Sequence, residues 1–341
     1  MDDHNLIFLI SQPRSGSTLL QHILGSHSEI HTLPEPWLML HQIYGLRSSG
    51  IETDYQAQYA YINMKRFLEI TPNGEEVYEG AIRNMTLQLY ENALQSSGKK
   101  YFLDKTPRYY FIIPDLYRLF PRAKFIFILR NPMAVLSSLL TVIFNGNWQG
   151  LFERDRKHDI LTAPHLILEG IKTLGSKAIV VNYEKLVTEP TQTVKKLCHK
   201  LEIAFENDMI NYGGKLHFKA GVDPKSIYKH TKPVRDYADG WWKKFDTPQK
   251  VYIARNYIET LGRKTISDLG YSYDDLMNKL TSLDNNQRKP YPLISWKLIT
   301  TPSEKLSCFS KFKITLLSSL QSIGFWHTLW RCISFITRKI H

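Results

Sequence analysis

Cysteine is scarce in this chain of 341 residues: there are three, Cys198, Cys308 and Cys332. Three widely separated thiols form neither a disulfide framework nor a zinc-ligand pattern, so a reducing compartment, the cytoplasm, is the expectation. Also missing is any uninterrupted run of about 18 apolar residues, the length a membrane-crossing helix requires. The opening residues, Met1-Asp2-Asp3-His4-Asn5, lack the basic stretch of a secretory leader, and the apolar run Leu6–Ile10 behind them reads as a first strand. There is no internal repeat and no low-complexity tract. With 43% hydrophobic and 22% charged residues, the composition suits an ordinary globular body of one large domain or two.

Charge is the unusual feature. The 44 Lys and Arg against 32 Asp and Glu leave a formal +12. Such a balance favours anionic partners: nucleic acid, an acidic membrane or phosphorylated ligands. From residue 281 onward there are nine Lys and Arg against Asp284 and Glu304, so +7 of the +12 belongs to the C-terminal tail. No nucleic-acid recognition module is visible, and nucleic acid is therefore not expected as a partner.

Leu6–Ile10, Lys124–Leu129 and Ala178–Tyr183 are apolar runs of strand length, each followed by an amphipathic stretch, and Tyr101–Leu103 reads as a shorter fourth. Runs this continuously apolar are buried on both faces. They predict an α/β fold of three layers, P-loop-like, with a central parallel sheet flanked by helices. Residues 37–100 read as a helical insertion, with Tyr55–Ile70 and Glu75–Gln95 separated by Thr71-Pro72-Asn73-Gly74. Pro248–Leu261 and Thr265–Leu269 read as closing helices that stop at Gly270. The body is expected over residues 1–280, and residues 281–341 as a linker and a basic amphipathic helical tail. That tail has two readings: a helix packed on the body or on a second copy in a homodimer, and a peripheral contact with a membrane surface.

The first strand runs directly into Ser11-Gln12-Pro13-Arg14-Ser15-Gly16-Ser17-Thr18, after which Leu19, Leu20, Ile23 and Leu24 mark a helix. A turn of small residues between strand and helix aims free backbone N–H groups and the positive helix end at one spot, which suits phosphate or sulfate. Gly16 permits close approach, Ser17 and Thr18 add hydroxyls, and Arg14 adds a planar cationic fork. The Walker pattern Gly-x-x-x-x-Gly-Lys-Ser/Thr is absent, which weakens an ATP-dependent reading.

This loop, Pro13 to Leu19, resembles the 5′-phosphosulfate loop of sulfotransferases that use 3′-phosphoadenosine 5′-phosphosulfate (PAPS). Phe125-Ile126-Phe127-Ile128-Leu129-Arg130-Asn131-Pro132, with Ser137 and Ser138 downstream, is similar to the same family's 3′-phosphate segment. Asp104-Lys105-Thr106-Pro107-Arg108-Tyr109 resembles the Lys-Thr-Pro element of Golgi-type members, and Val181-Asn182-Tyr183-Glu184-Lys185-Leu186 the strand-end Tyr-Glu-x-Leu of many sulfotransferases. The likeness spans residues 5–275 and is greatest to the tyrosylprotein sulfotransferase branch.

The resemblance implies a sulfuryl transfer from PAPS to a hydroxyl by in-line displacement, without a metal. Arg14 and Lys105 would stabilise the transition state, and Glu35, in Leu33-Pro34-Glu35-Pro36-Trp37, would be the general base. Rigid prolines and the neighbouring Trp37 favour a partly desolvated carboxylate there. The histidine that cytosolic members use after their central lysine has no counterpart in Thr106-Pro107-Arg108. For the donor, the resemblance points to Arg14, Ser15, Gly16, Ser17, Thr18, Arg130, Ser138 and Tyr183, and more loosely to Lys225 and Ser226. Trp241 and Trp242 read as closing the fold rather than packing an adenine. His27 and His31, four apart, straddle a helix end and have no third metal ligand. The acceptor stays open among a small molecule, a lipid, a sugar and a peptide tyrosine. Two rivals remain: an ATP-dependent phosphotransferase on a related fold, and a non-catalytic binder of nucleic acid or anionic membrane.

Overall fold

The computed structural model describes residues 1–143, 154–216, 218 and 225–283. Five parallel strands form one sheet: β1 (Leu6–Ser11), β2 (Ile30–Thr32), β3 (Tyr101–Lys105), β4 (Lys124–Leu129) and β5 (Ala178–Asn182), in the order β2-β3-β1-β4-β5. The helices are α1 (Ser17–Gly25), α2 (Leu38–Tyr44), α3 (Ala57–Ile70), α4 (Gly74–Gln95), α5 (Ile113–Leu119), α6 (Pro132–Ser138), α7 (Arg154–Lys157), α8 (Ala163–Leu174), α9 (Tyr183–Thr188), α10 (Pro190–Leu201), α11 (Pro248–Asp268) and α12 (Tyr273–Leu283).

Alternation along β1 builds the two cores. Leu6, Phe8 and Ile10 point to one face, where α2, α4, α5 and α8 cover them, and Phe102, Phe125 and Phe127 join from neighbouring strands. Ile7 and Leu9 point to the other, against Leu20, Ile23 and Leu24 of α1 and Leu197 and Leu201 of α10. A third cluster sits beside the sheet, where Leu136 and Leu139 meet Tyr257, Ile258 and Leu280. This is the expected three-layer architecture of a parallel sheet covered on both faces.

The structure adds a strand that the sequence did not suggest: β2 is three residues long, too short for a periodic signal. Two strand boundaries at the site also move. Tyr101–Leu103 extends to Lys105, so the lysine is itself a strand residue. Tyr183 leaves the fifth strand and opens α9, because Asn182 adopts extended backbone and its side chain accepts the Lys185 N–H as a helix cap. The two closing helices merge into α11 around a break at Gly262, whose φ of 79° interrupts the helical backbone. The expected linker and tail lie, beyond Leu283, outside the described residues.

Candidate active site

Apart from Lys225 and Ser226, the expected site residues lie at or follow the C-terminal edge of the sheet. The anion loop follows β1, Glu35 follows β2, Lys105 ends β3, Arg130 follows β4 and Tyr183 follows β5. In a parallel sheet this edge is where the crossover connections leave a crevice.

The loop after β1 needs two left-handed residues, Arg14 (φ 74°) and Gly16 (φ 95°). Gly16 is the cap of α1, so the cap residue has no side chain to bond to the helix start. The first N–H groups of a helix have no partner within it, so Gly16, Ser17 and Thr18 present theirs to the crevice. Ser15 and Ser17 are buried in the turn, and the Ser15 N–H closes it on the Gln12 carbonyl at 3.1 Å. Glycine at position 16 is dictated by a neighbour as well as by φ: a Cβ there would lie 2.3 Å from the Tyr183 ring.

Arg14, Ser138 and Arg130 converge around this loop. The Arg14 Nε donates to Ser138 Oγ at 3.1 Å, and Arg130 donates to the Arg14 carbonyl at 2.9 Å. The Arg130 guanidinium lies 4.0 Å above the Tyr183 ring, and its buried Nε has no hydrogen-bond partner among the described residues. The turn carrying Arg130 is fixed by Glu184, which accepts the Asn131 N–H at 3.0 Å and the Tyr271 hydroxyl at 2.6 Å. Asn131 in turn caps α6 through the Met133 N–H at 2.9 Å. Burial, and then the Arg130 charge, hold the Arg14 guanidinium below its usual pKa. Two cations held this close, one of them desolvated, favour an anion between them.

Lys105 and Glu35 meet directly. The lysine side chain is 1% exposed and the glutamate 14%, and Lys105 Nζ donates to Glu35 Oε1 at 2.6 Å. The other carboxylate oxygen accepts the Trp37 indole N–H at 3.1 Å. Beneath them Asp104 is fully buried and accepts hydroxyls from Tyr90, Thr106 and Tyr109. Burial pushes its pKa up to about 6, against the hydrogen bonds that lower it. The sequence pointed to Glu35 and Lys105 singly; their pairing across 70 positions carries no sequence signal.

Sequence reasoning also missed a cluster beside this pair. Arg108 forks onto buried Asp159 with bonds of 3.0 and 2.9 Å, Tyr110 donates to the same carboxylate, and Gln12 donates to the Asp159 carbonyl. The Arg108 guanidinium lies 5.5 Å from the Trp37 ring. Asp-Lys-Thr-Pro-Arg places Arg108 three residues after Lys105, which was the one available hint.

Lys225 and Ser226 open a 3-10 turn (Lys225–Lys229), but their side chains are outside the described residues. Trp241 packs edge-on against Phe245 at the side of the third core cluster. The His27 ring nitrogen meets the Ala204 carbonyl at 2.8 Å, and His31 lies against Phe102.

Comparison with known proteins places these features in company. The sulfotransferase family's sequence model matches residues 6–207, more than half of the chain. Nodulation protein NoeE of Sinorhizobium fredii (strain NBRC 101917 / NGR234) is 35% identical over 134 residues, 39% of this chain and 30% of that protein. Protein-tyrosine sulfotransferase 1 of Danio rerio is 24% identical over 250 residues, 70% of this chain and 66% of that protein. The chain thus spans less than two thirds of the length of either relative. Among solved structures, the sulfotransferase domain from the curacin biosynthetic pathway superposes with a TM-score of 0.53 at 22% identity. That match covers 78% of this chain and 97% of the other, a likeness of fold.

Proposed function

The chain belongs to the sulfotransferase family, and from that premise we propose that it transfers a sulfuryl group from PAPS to a hydroxyl acceptor. The observation that carries the donor assignment is the convergence of Arg14, Ser138 and Arg130 at the start of α1. A buried Arg130 Nε with no hydrogen-bond partner among the described residues, and a helix start capped by a glycine, fit a ligand with phosphate at two ends. Gly16, Ser17 and Thr18 would hold the 5′-phosphosulfate with Arg14, while Arg130 and Ser138 would hold the 3′-phosphate.

When bound, PAPS supplies the sulfuryl group, whose sulfur exchanges its bond to the 5′-phosphate for one to the acceptor oxygen. Glu35 accepts the acceptor's hydroxyl proton. Its ion pair with Lys105 fixes the carboxylate at the mouth of the crevice, beside the lysine that faces the developing negative charge. Arg14 adds fixed positive charge at the same place, and Trp37 keeps the second Glu35 oxygen oriented.

The acceptor class follows from the likeness to protein-tyrosine sulfotransferases and from the exposed Trp37 and Leu33 that flank Glu35: a phenolic hydroxyl, with peptide tyrosine first. Incubation with radiolabelled PAPS and separate acceptors (a tyrosine peptide, 4-nitrophenol, a sugar and a fatty alcohol) tests it. Label should pass to the phenols in wild type and to none in Glu35→Gln. Transfer confined to the sugar or the fatty alcohol would contradict the phenolic assignment.

A further inference from the structure

Asp104 lies in β3 next to Lys105 in sequence, has no exposed surface, and makes its side-chain hydrogen bonds to hydroxyls rather than to Glu35 or Lys105. A carboxylate removed from water is costly unless its oxygens are satisfied, and a residue of this kind at a strand end needs a reason. Here three hydroxyls supply the bonds. Thr106 Oγ1 donates to one oxygen at 2.7 Å, and Tyr109 donates to the other at 2.9 Å, which Tyr90 shares.

Two of those hydroxyls reach further. Thr106 Oγ1 accepts the Trp37 backbone N–H at 3.4 Å, and the Tyr109 hydroxyl accepts the Met39 N–H at 3.1 Å. Each hydroxyl has one proton, so donating it to Asp104 leaves its oxygen as an acceptor aimed at the segment behind Glu35. That segment needs holding: Trp37 stands at φ 55°, a left-handed conformation that a bulky side chain adopts only when its surroundings impose it. In that conformation the indole N–H meets Glu35 Oε2.

We propose that Asp104 is a positioning residue: through Thr106 and Tyr109 it clamps the Trp37–Met39 backbone to the end of β3, and so sets the Glu35 carboxylate against Lys105. The proposal rests on the assignment of Glu35 and Lys105 to the reacting centre for its consequence, though the clamp itself is a matter of structure. An amide in place of the carboxylate offers one acceptor oxygen instead of two and must point N–H protons at a hydroxyl. One strut is then lost while the shape is kept.

The test reads the end of the chain of contacts directly. Selective nitrogen labelling of the seven tryptophans gives seven indole N–H signals, and Trp37→Phe assigns the relevant one. In Asp104→Asn, the Trp37 indole N–H should exchange with solvent about tenfold faster, as loss of one hydrogen bond of ordinary net strength gives. It should also shift, while the other six signals stay in place. Thr106→Val and Tyr109→Phe, which cut one strut each and spare Asp104, should each produce part of the change, and they carry the test if Asp104→Asn does not fold. A Trp37 signal unmoved and equally protected in the folded variants would overturn the clamp.

Transfer rates separate this from the functional reading. Asp104→Asn should lower the turnover number at least about tenfold and leave the affinity for 3′-phosphoadenosine 5′-phosphate within about twofold. Wild-type turnover in Asp104→Asn with an inactive Glu35→Gln would overturn the positioning role alone. Wild-type turnover in Glu35→Gln would overturn both.

Discussion

Lys105 Nζ and Glu35 Oε1 lie 2.6 Å apart at the ends of adjacent strands, with the lysine removed from water and the glutamate nearly so. A buried pair of this kind is weak evidence of stability, because desolvation of both ions offsets most of their attraction. It is strong evidence of placement. One strand end supplies a fixed cation, the loop after its neighbour supplies a fixed carboxylate, and the open start of α1 completes the crevice.

Removing either charge should separate chemistry from folding. Glu35→Gln keeps the bond to Lys105 as an amide oxygen, and turnover should fall by about 10² or more, the ordinary contribution of a positioned base. Nucleotide affinity should be retained. Lys105→Met should lower turnover as severely and also lower the melting temperature, since it strands the Glu35 charge at a cost of about 3 kcal/mol. Calorimetric nucleotide titration beside rate measurement on the same preparations checks both.

Gly16 is fixed by two independent constraints, its φ of 95° and the Tyr183 ring 2.3 Å from where a Cβ would stand. Gly16→Ala should destabilise by more than the 1–2 kcal/mol or so that a left-handed alanine costs, because the ring must also move. Adding Tyr183→Ala to Gly16→Ala should recover the clash but not the backbone strain. A double-mutant cycle in urea reads the coupling.

Asp104 makes stability depend on pH in a particular direction. Its carboxyl, ordinarily at 3.8, sits at about 6 in the folded chain because burial disfavours the charge. The folded state therefore holds this proton more tightly than the unfolded state. Its contribution is fully present below about pH 4 and is lost as pH rises through 6. The difference in unfolding free energy between Asp104→Asn and wild type should move in favour of the variant by about 2 kcal/mol between pH 4 and pH 7. A difference flat across that interval would contradict the assignment.

Part of the fold was legible from the chain alone. Lys124–Leu129 is read correctly to the residue because a central parallel strand is apolar on both faces. The turn after Ser11 is legible because small residues between an apolar run and an amphipathic stretch mark a passage from strand to helix. Ile30–Thr32 was not legible: three residues with His31 in the middle carry no period. The left-handed backbone at Arg14 and Trp37 has no sequence signal either, since tertiary contacts impose it on residues that do not favour it. Nor do the contacts that matter most, Lys105 with Glu35 and Arg108 with Asp159, which join residues 70 and 51 positions apart.

The central claim is a donor site that recognises a nucleotide by its 3′-phosphate, and calorimetric titration with 3′-phosphoadenosine 5′-phosphate against ADP tests it most directly. Wild type should bind the 3′-phosphorylated nucleotide much more tightly than ADP. Arg130→Ala should weaken that nucleotide by about 10- to 100-fold, the range of a lost hydrogen bond to a charged group, and leave ADP little changed. Equal affinity for the two nucleotides, or an Arg130→Ala variant that binds 3′-phosphoadenosine 5′-phosphate as wild type does, would contradict the account.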